Sequence, residues 1–267
     1  MGEFEELAEA YEGLEESFAD RRALESYRAS MLARSTPQAD FLVDRLAEGA
    51  RVLEVGTGNG RLLVELGRRG AVAEGLGIDL ARSRIAFAQE WADELGLTTL
   101  GFETGDVFER EHGTESYSAV ICITGAFAYF EPVDPGSGLR LARLLHDALE
   151  PGGLLVLELY PHPRERALLV ATGGEARTWR ELDPDDPWRF YLSNLRLEGD
   201  VLAHEKTFVH RTTGEVDSGR RERLQLYTPE SITALLEEAG FRDLELFEGW
   251  TQSHYAGGDE LVVTALK

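Results

Sequence analysis

Residues 52–62 read Val52-Leu53-Glu54-Val55-Gly56-Thr57-Gly58-Asn59-Gly60-Arg61-Leu62. The stretch predicts a buried strand, a glycine turn and the start of a helix. Closely spaced glycines let a backbone pass near a bound ligand without Cβ obstruction. The first turn of the helix that follows offers unpaired N–H groups. The fold and the ligand both hang on this turn.

Two ligand classes compete for it. A dinucleotide turn is G-x-G-x-x-G, its third glycine packing helix against strand. Here the spacing is G-x-G-x-G, and Arg61 stands where that third glycine would fall. Glu54 lies at the strand end, which suits a cationic ligand better than a pyrophosphate. Asp79, in Gly77-Ile78-Asp79, closes the second apolar run, where an acid is expected to meet ribose hydroxyls. A ribose, a cation and no phosphate fit S-adenosylmethionine (SAM).

Four further segments extend the pattern: Gly105-Asp106-Val107, Glu150-Pro151-Gly152-Gly153 before Leu154-Leu155-Val156-Leu157, Glu238-Ala239-Gly240-Phe241, and the Asp79 strand end itself. With the Glu54–Gly60 loop, the chain resembles the class I SAM-dependent methyltransferases over residues 40–160 and 228–267. The resemblance implies a doubly wound, seven-stranded Rossmann-like sheet. It implies a cofactor held by Glu54, Gly56, Thr57, Gly58 and Gly60 in the loop, and by Asp79 with Leu80 after the second strand. Asp106 with Val107 would follow the third strand and Thr124 the fourth, with Tyr11 reaching over from a leading helix. Asp106 would meet the adenine amino group.

Composition narrows the partners. The 267 residues carry a net charge of −22, a field that repels nucleic acid and anionic lipid. Only Lys206 and Lys267 are lysines among 27 basic residues, a bias that genome composition explains. One cysteine, Cys122, sits in an apolar run and reads as a core residue. Residues 1–20 lack the basic and apolar segments of a signal peptide, and no apolar run is long enough to span a membrane. A cytoplasmic protein is expected.

Amphipathic spacing predicts leading helices over 3–18, 21–33 and 37–47, forming a cap over residues 1–48. Tyr11, Tyr27 and Arg34 are its candidate contacts with the cofactor. A β-α-β alternation follows, with strands at 51–55, 74–78, 99–103, 118–123 and 153–159 and helices at 59–69, 81–95 and 137–149. Helix 229–239 and strands 242–248 and 260–266 complete the core, so residues 49–160 and 228–267 form the SAM-binding unit. The remaining 161–227 hold a helix at 163–171 and three strand-like runs, Trp188 to Leu197, Val201 to Arg211 and Glu215 to Tyr227. They predict an inserted antiparallel β lid, which could also serve a homodimer.

In this topology residues after the fourth and fifth strands face the transferring methyl group. After the fourth stands Thr124-Gly125-Ala126-Phe127-Ala128-Tyr129-Phe130. It lacks the N/D-P-P-Y motif of amino-methylation of bases, and it lacks the glutamate pair of protein arginine methylation. Phe127 and Tyr129 suggest an apolar wall. After the fifth stands Tyr160-Pro161-His162, and the candidate catalytic residues are His162 as base, Tyr160 and Tyr129. Alternation in the lid puts His204, Lys206, Phe208 and His210 on one strand face. Trp188, Tyr191 and Tyr227 could add aromatic walls, and His254-Tyr255 could lie nearby. No metal motif is present. The leading reading is N- or O-methylation of a small organic acceptor. Aminopropyl transfer and a SAM-binding protein without turnover are the alternatives.

Overall fold

The computed structural model describes residues 11–12, 18–110, 113–183 and 188–267. The helix expected at 3–18 lies largely outside the described residues.

The first described helix, α1 (Arg21–Val43), is one element where the sequence predicts two. Pro37 lies inside it. Proline removes a helix donor and usually breaks the run. Here the hydroxyls of Ser35 and Thr36 donate to the carbonyls of Met31 and Leu32, and Gln38, Ala39, Phe41 and Leu42 bury the helix's last turns. Packing of that face outweighs the proline.

Strands β1 (Arg51–Val55), β2 (Glu74–Asp79), β3 (Leu100–Thr104), β4 (Tyr117–Cys122) and β5 (Leu149–Leu159) pair in parallel. Helices α2 (Arg61–Arg68), α3 (Arg82–Glu94) and α4 (Ser137–Ala148) cover the faces. Past an inserted segment, α6 (Pro229–Ala239) leads into β10 (Arg242–Glu248) and β11 (Leu261–Leu266), which pair antiparallel at the far edge. The seven-stranded order is β10-β11-β5-β4-β1-β2-β3. Strand order reverses between β1 and β4, where ligands sit at the strands' C-terminal ends in such sheets. The strand interiors are continuous apolar runs because helices bury both sides.

Helix α5 (Pro163–Ala171) opens the insertion. It is followed by a second sheet, β6 (Glu175–Glu181), β7 (Trp188–Glu198), β8 (Val201–His210) and β9 (Val216–Gln225), antiparallel in that order. The sheet therefore has one strand more than the sequence suggests. β6 is a charged edge strand in which only Ala176 is buried. Leu169 of α5 packs on Ala176, Leu195 and Leu202, which turns this face of the sheet toward α5 and the core.

Candidate active site

Gly56, Gly58 and Gly60 all take left-handed backbone, with φ of 71°, 57° and 72°. Gly56 also has no room for a side chain, since a Cβ there would fall 2.7 Å from the Ala126 Cβ. At Gly60, the N-cap of α2, a Cβ would strike Ala88 and Phe102 at 2.7 Å, so helix and sheet meet over bare backbone.

Asp79 ties the loop to the next strand end. Its carboxylate accepts from Gly58 N at 2.8 Å and from Ala81 N at 3.0 Å. Beneath the loop Glu54 is only 1% exposed. Burial pushes its carboxyl up to about 7, against the pull of the Thr57 hydroxyl bond and of the nearby Arg61 charge. Thr57 Oγ1 donates to it at 2.5 Å. Arg61 donates to Ser35, Gln38 and Thr124, stitching α1 to the ends of β1 and β4.

A cavity opens above these strand ends. Of the expected cofactor residues, Tyr11, Gly56, Asp79, Leu80, Asp106, Val107 and Thr124 line it, together with Ile78, Arg84, Tyr129 and Phe130. Glu54 and Thr57 are buried below, and Gly58 and Gly60 shape the turn. Most of the wall is apolar, with Asp79, Asp106 and Arg84 at its rim. An adenine between apolar side chains and a ribose against Asp79 match this donor set. All three glycines face packed atoms, Gly58 against the Arg84 guanidinium, and of the three Gly56 lines the cavity.

Tyr11 closes the cavity from above. Its hydroxyl shares a hydrogen bond with that of Tyr129 at 2.9 Å. The neighbouring Glu12 accepts from Arg82 N at 2.7 Å and Ser83 N at 2.9 Å. Those are first-turn donors of α3, whose N-cap, Ala81, has no side chain able to bond them. Residues 11 and 12 thus bridge both rims of the cavity. Burial raises the Tyr129 phenol far above its ordinary range, with the Glu222 charge acting the same way. Tyr160 is likewise raised, by burial and then by Glu158. Both stay neutral hydroxyls at physiological pH.

Thr124 belongs to two cavities. The second is lined by Arg34, Gln38, Arg61, Glu158, Tyr160, Trp250 and Glu260, among others. Glu158 is 2% exposed and organises it. It accepts from Thr124 N (2.6 Å), Trp250 Nε1 (3.0 Å), Tyr160 OH (3.1 Å) and Gln38 Nε2 (3.4 Å). Glu260 lies beside it, hydrogen-bonded to Glu158, and that bond together with burial lifts its carboxyl to about 8.

Not every expected residue joins the cofactor cavity. Tyr160 lines the second cavity, and His162 lines neither. His162 has left-handed backbone at the head of α5 and lies 3.6 Å from Glu165. Tyr27 donates no wall; its hydroxyl accepts from Asn59 Nδ2 at 2.9 Å, behind the loop. Phe127 is fully buried and stacks near Tyr227, so it anchors core rather than acceptor. His254 stacks on Phe247, away from the cavity lining. In the second sheet, β9 packs on the helical turns Ala126–Tyr129 and Phe130–Val133. Glu12 and Glu158 carry much of the site and are not among the residues expected from sequence, and Arg61, read there only as a missing glycine, ties α1 to Thr124. Glu158 alone left a signal, as a lone acid inside the apolar run Leu157-Glu158-Leu159.

A family model described as a methyltransferase domain matches residues 25–246. The chain belongs to the methyltransferase-domain family. Among curated relatives, an N,N-dimethyltransferase from Saccharopolyspora spinosa, acting on dTDP-4-amino-2,3,4,6-tetradeoxy-D-glucose, is 28% identical over 74% of each chain. A demethylmenaquinone methyltransferase from Deinococcus radiodurans is 34% identical over 42% of this chain, a match that spans 44% of that relative's length. Among solved structures, the methyltransferase CcbJ from Streptomyces caelestis superposes with a TM-score of 0.74 at 19% identity, covering 86% of this chain and 88% of that one. An amino pentose methyltransferase from Micromonospora echinaspora, solved with SAM bound, gives 0.67 at 20% identity over 94% and 98%. These two likenesses are of fold. Among the described residues of this methyltransferase, no helix is long and apolar enough to cross a membrane.

Proposed function

We propose that this methyltransferase acts on an amino group of a small, hydroxyl-bearing acceptor, with an amino sugar as the leading case. One observation carries the reading. The cofactor cavity ends at the paired hydroxyls of Tyr11 and Tyr129, under a lid sheet whose core-facing side mixes aromatic and polar groups. On that side Tyr191 lies over Phe208, and its hydroxyl is 2.8 Å from His204 Nε2. Such a covered compartment suits a compact acceptor better than a polymer. The amino-sugar activity of the Saccharopolyspora relative points the same way.

Bound SAM supplies an electrophilic methyl on a sulfonium, and the protein's share is orientation and electrostatics. Asp79 is assigned to the ribose, Asp106 to the adenine amino group, and Leu80 and Val107 to its faces. The glycine loop and Thr124 take the methionine side, with Glu54 and Thr57 holding the loop from below. Tyr11 covers the donor. Tyr129 and Tyr160 act as neutral walls and hydrogen-bond partners, since both phenols are raised rather than lowered. His162 is kept as a residue of the lid rim. Residues 1–48 are read as cap, 49–160 with 228–267 as donor-binding core and 161–227 as lid. A cytoplasmic setting, no nucleic-acid partner and a homodimer through the lid complete the reading.

The test is a panel of amines, amino sugars, nucleotide-linked amino sugars, phenols and alcohols, scored by release of S-adenosylhomocysteine (SAH). Turnover confined to amines is expected. Turnover of phenols or alcohols alone would overturn the nitrogen assignment.

A further inference from the structure

The lid carries a charged pair that the site described so far does not use. Lys206 Nζ lies 2.6 Å from the Glu222 carboxylate, and both side chains are about four-fifths shielded, at 22% and 19% exposure. They sit on adjacent strands, on the sheet side that Leu195 and Leu202 turn toward α5. Glu222 pairs across the ladder with His204.

Three observations aim this pair at the acceptor. First, β9 packs directly on Ala126–Val133, the segment that carries Tyr129. After burial, the Glu222 charge is the next cause raising both the Tyr11 and the Tyr129 phenol, so its field reaches the end of the donor cavity. Second, His204 is held neutral. Its Nε2 is 2.7 Å from Ser193 Oγ and 2.8 Å from Tyr191 OH, and burial drops its pKa to about 4. Third, the partner is a lysine in a chain that has only Lys206 and Lys267 among 27 basic residues. Guanidinium forms a planar, two-point clamp on carboxylate, whereas an ammonium is a compact point charge on a flexible stem. An alkylammonium from outside is the chemical twin of what Lys206 presents.

We propose that Glu222 is the counter-ion for the protonated amine of the acceptor, and that Lys206 occupies its place until the acceptor arrives. The proposal rests on the nitrogen assignment above and names the residue that recognises it. The net charge of −22 draws cations toward the mouth before this short-range exchange begins. Lys206 must then swing aside, which its four-carbon stem permits.

The probe does not depend on knowing the natural acceptor. It is the SAH analogue whose sulfur is replaced by a tertiary amine bearing a 2-aminoethyl arm. That arm projects an ammonium from the methyl position. The control is the same analogue with a propyl arm. Calorimetry on the full chain gives the affinity ratio of the two, with SAH itself reporting an intact donor site. In the unaltered protein the ammonium arm should be favoured roughly tenfold. Glu222→Gln should bring the ratio to about one while SAH binding stays unchanged. Lys206→Met should raise the ratio by roughly another tenfold, because Glu222 is then left without its resident cation. A ratio near one in the unaltered protein, a ratio unchanged in Glu222→Gln, or a fall in Lys206→Met overturns the proposal. The fall would mean that Lys206 binds the acceptor itself. The acceptor panel reads amine methylation without reference to Glu222. Amine turnover with a failed probe therefore sinks this inference alone, and absence of amine turnover sinks the reading beneath it.

Discussion

The Glu158 carboxylate receives the Thr124 N–H at 2.6 Å, and Thr124 sits there in left-handed backbone at φ 58°. A β-branched residue rarely adopts that region, at a cost of about 1–3 kcal/mol. The strain falls where the two cavities meet. Glu158→Ala would leave the Thr124, Tyr160, Trp250 and Gln38 donors without their acceptor. Denaturant unfolding should show a loss of about 3–5 kcal/mol, the range for breaking a buried charged network. Glu158→Gln, which keeps the shape and one acceptor oxygen, should lose less than half of that. Equal losses would mean that one acceptor oxygen and the side chain's shape hold nothing in place, and that both carboxylate oxygens are required.

The Tyr11 and Tyr129 hydroxyls join residues 118 apart in sequence. A double-mutant cycle with Tyr11→Phe and Tyr129→Phe isolates their bond. SAH affinity in the four proteins should yield a coupling of about 0.5–1.5 kcal/mol, the usual net value of one hydrogen bond. Additive losses would show that Tyr11 covers the donor by packing alone.

Asp79 and Glu12 grip the same helix start from two sides. Asp79→Asn removes a charged acceptor from Gly58 N and Ala81 N, as well as the proposed ribose contact. SAH affinity should fall on the order of a hundredfold, or about 3 kcal/mol. Glu12→Ala uncaps Arg82 N and Ser83 N. A cap is typically worth about 1 kcal/mol, so SAH affinity should drop by roughly fivefold, and its dissociation should quicken. Stopped-flow release of SAH reads the second effect; an unchanged rate would free residues 11 and 12 from any part in retention.

His162 offers a sharper contrast. It borders neither cavity and pairs with Glu165 at 3.6 Å. His162→Ala should change turnover by less than about threefold, under 0.7 kcal/mol of barrier. A fall of on the order of a hundredfold would restore it as the base, reached by movement of the lid.

The donor half of this site is local in sequence. Its loop, the Asp79 strand end and the Asp106 turn each lie within a few residues of a strand that an apolar run marks. What closes the site is not local. Glu12 reaches α3 across 70 residues, and Glu158 reaches Gln38 across 120. No spacing rule records such contacts. β6 escaped notice for another reason: Glu175-Ala-Arg-Thr-Trp-Arg-Glu181 is an edge strand with little to bury, so it lacks the alternation that marks strands. Pro37 misled in the opposite sense, because local breaking rules weigh less than the buried face of Gln38, Phe41 and Leu42. The lid's polar face was readable as a face. Its target, the Tyr11–Tyr129 end of the cavity, needed the tertiary structure.

Glu54 gives stability a pH dependence of known sign. Burial raises its carboxyl from 4.5 to about 7 in the folded protein. Below pH 4.5 the group is protonated folded and unfolded, and its contribution is fully present. Between 4.5 and 7 the unfolded chain ionises first, so stability is lost as pH rises through the folded value. The full loss corresponds to about 3 kcal/mol. Other carboxylates, such as Glu12 with its lowered pKa, slope the opposite way. The comparison is therefore between the natural chain and Glu54→Gln, unfolded in denaturant at pH 5, 6, 7 and 8. Glutamine cannot ionise yet can still accept from Thr57 Oγ1. The variant should gain on the natural protein steadily across that range and level off near pH 8. A constant difference would mean that Glu54 stays ionised in the fold, held by Arg61, and that the charge under the glycine loop is negative at every pH where the enzyme works.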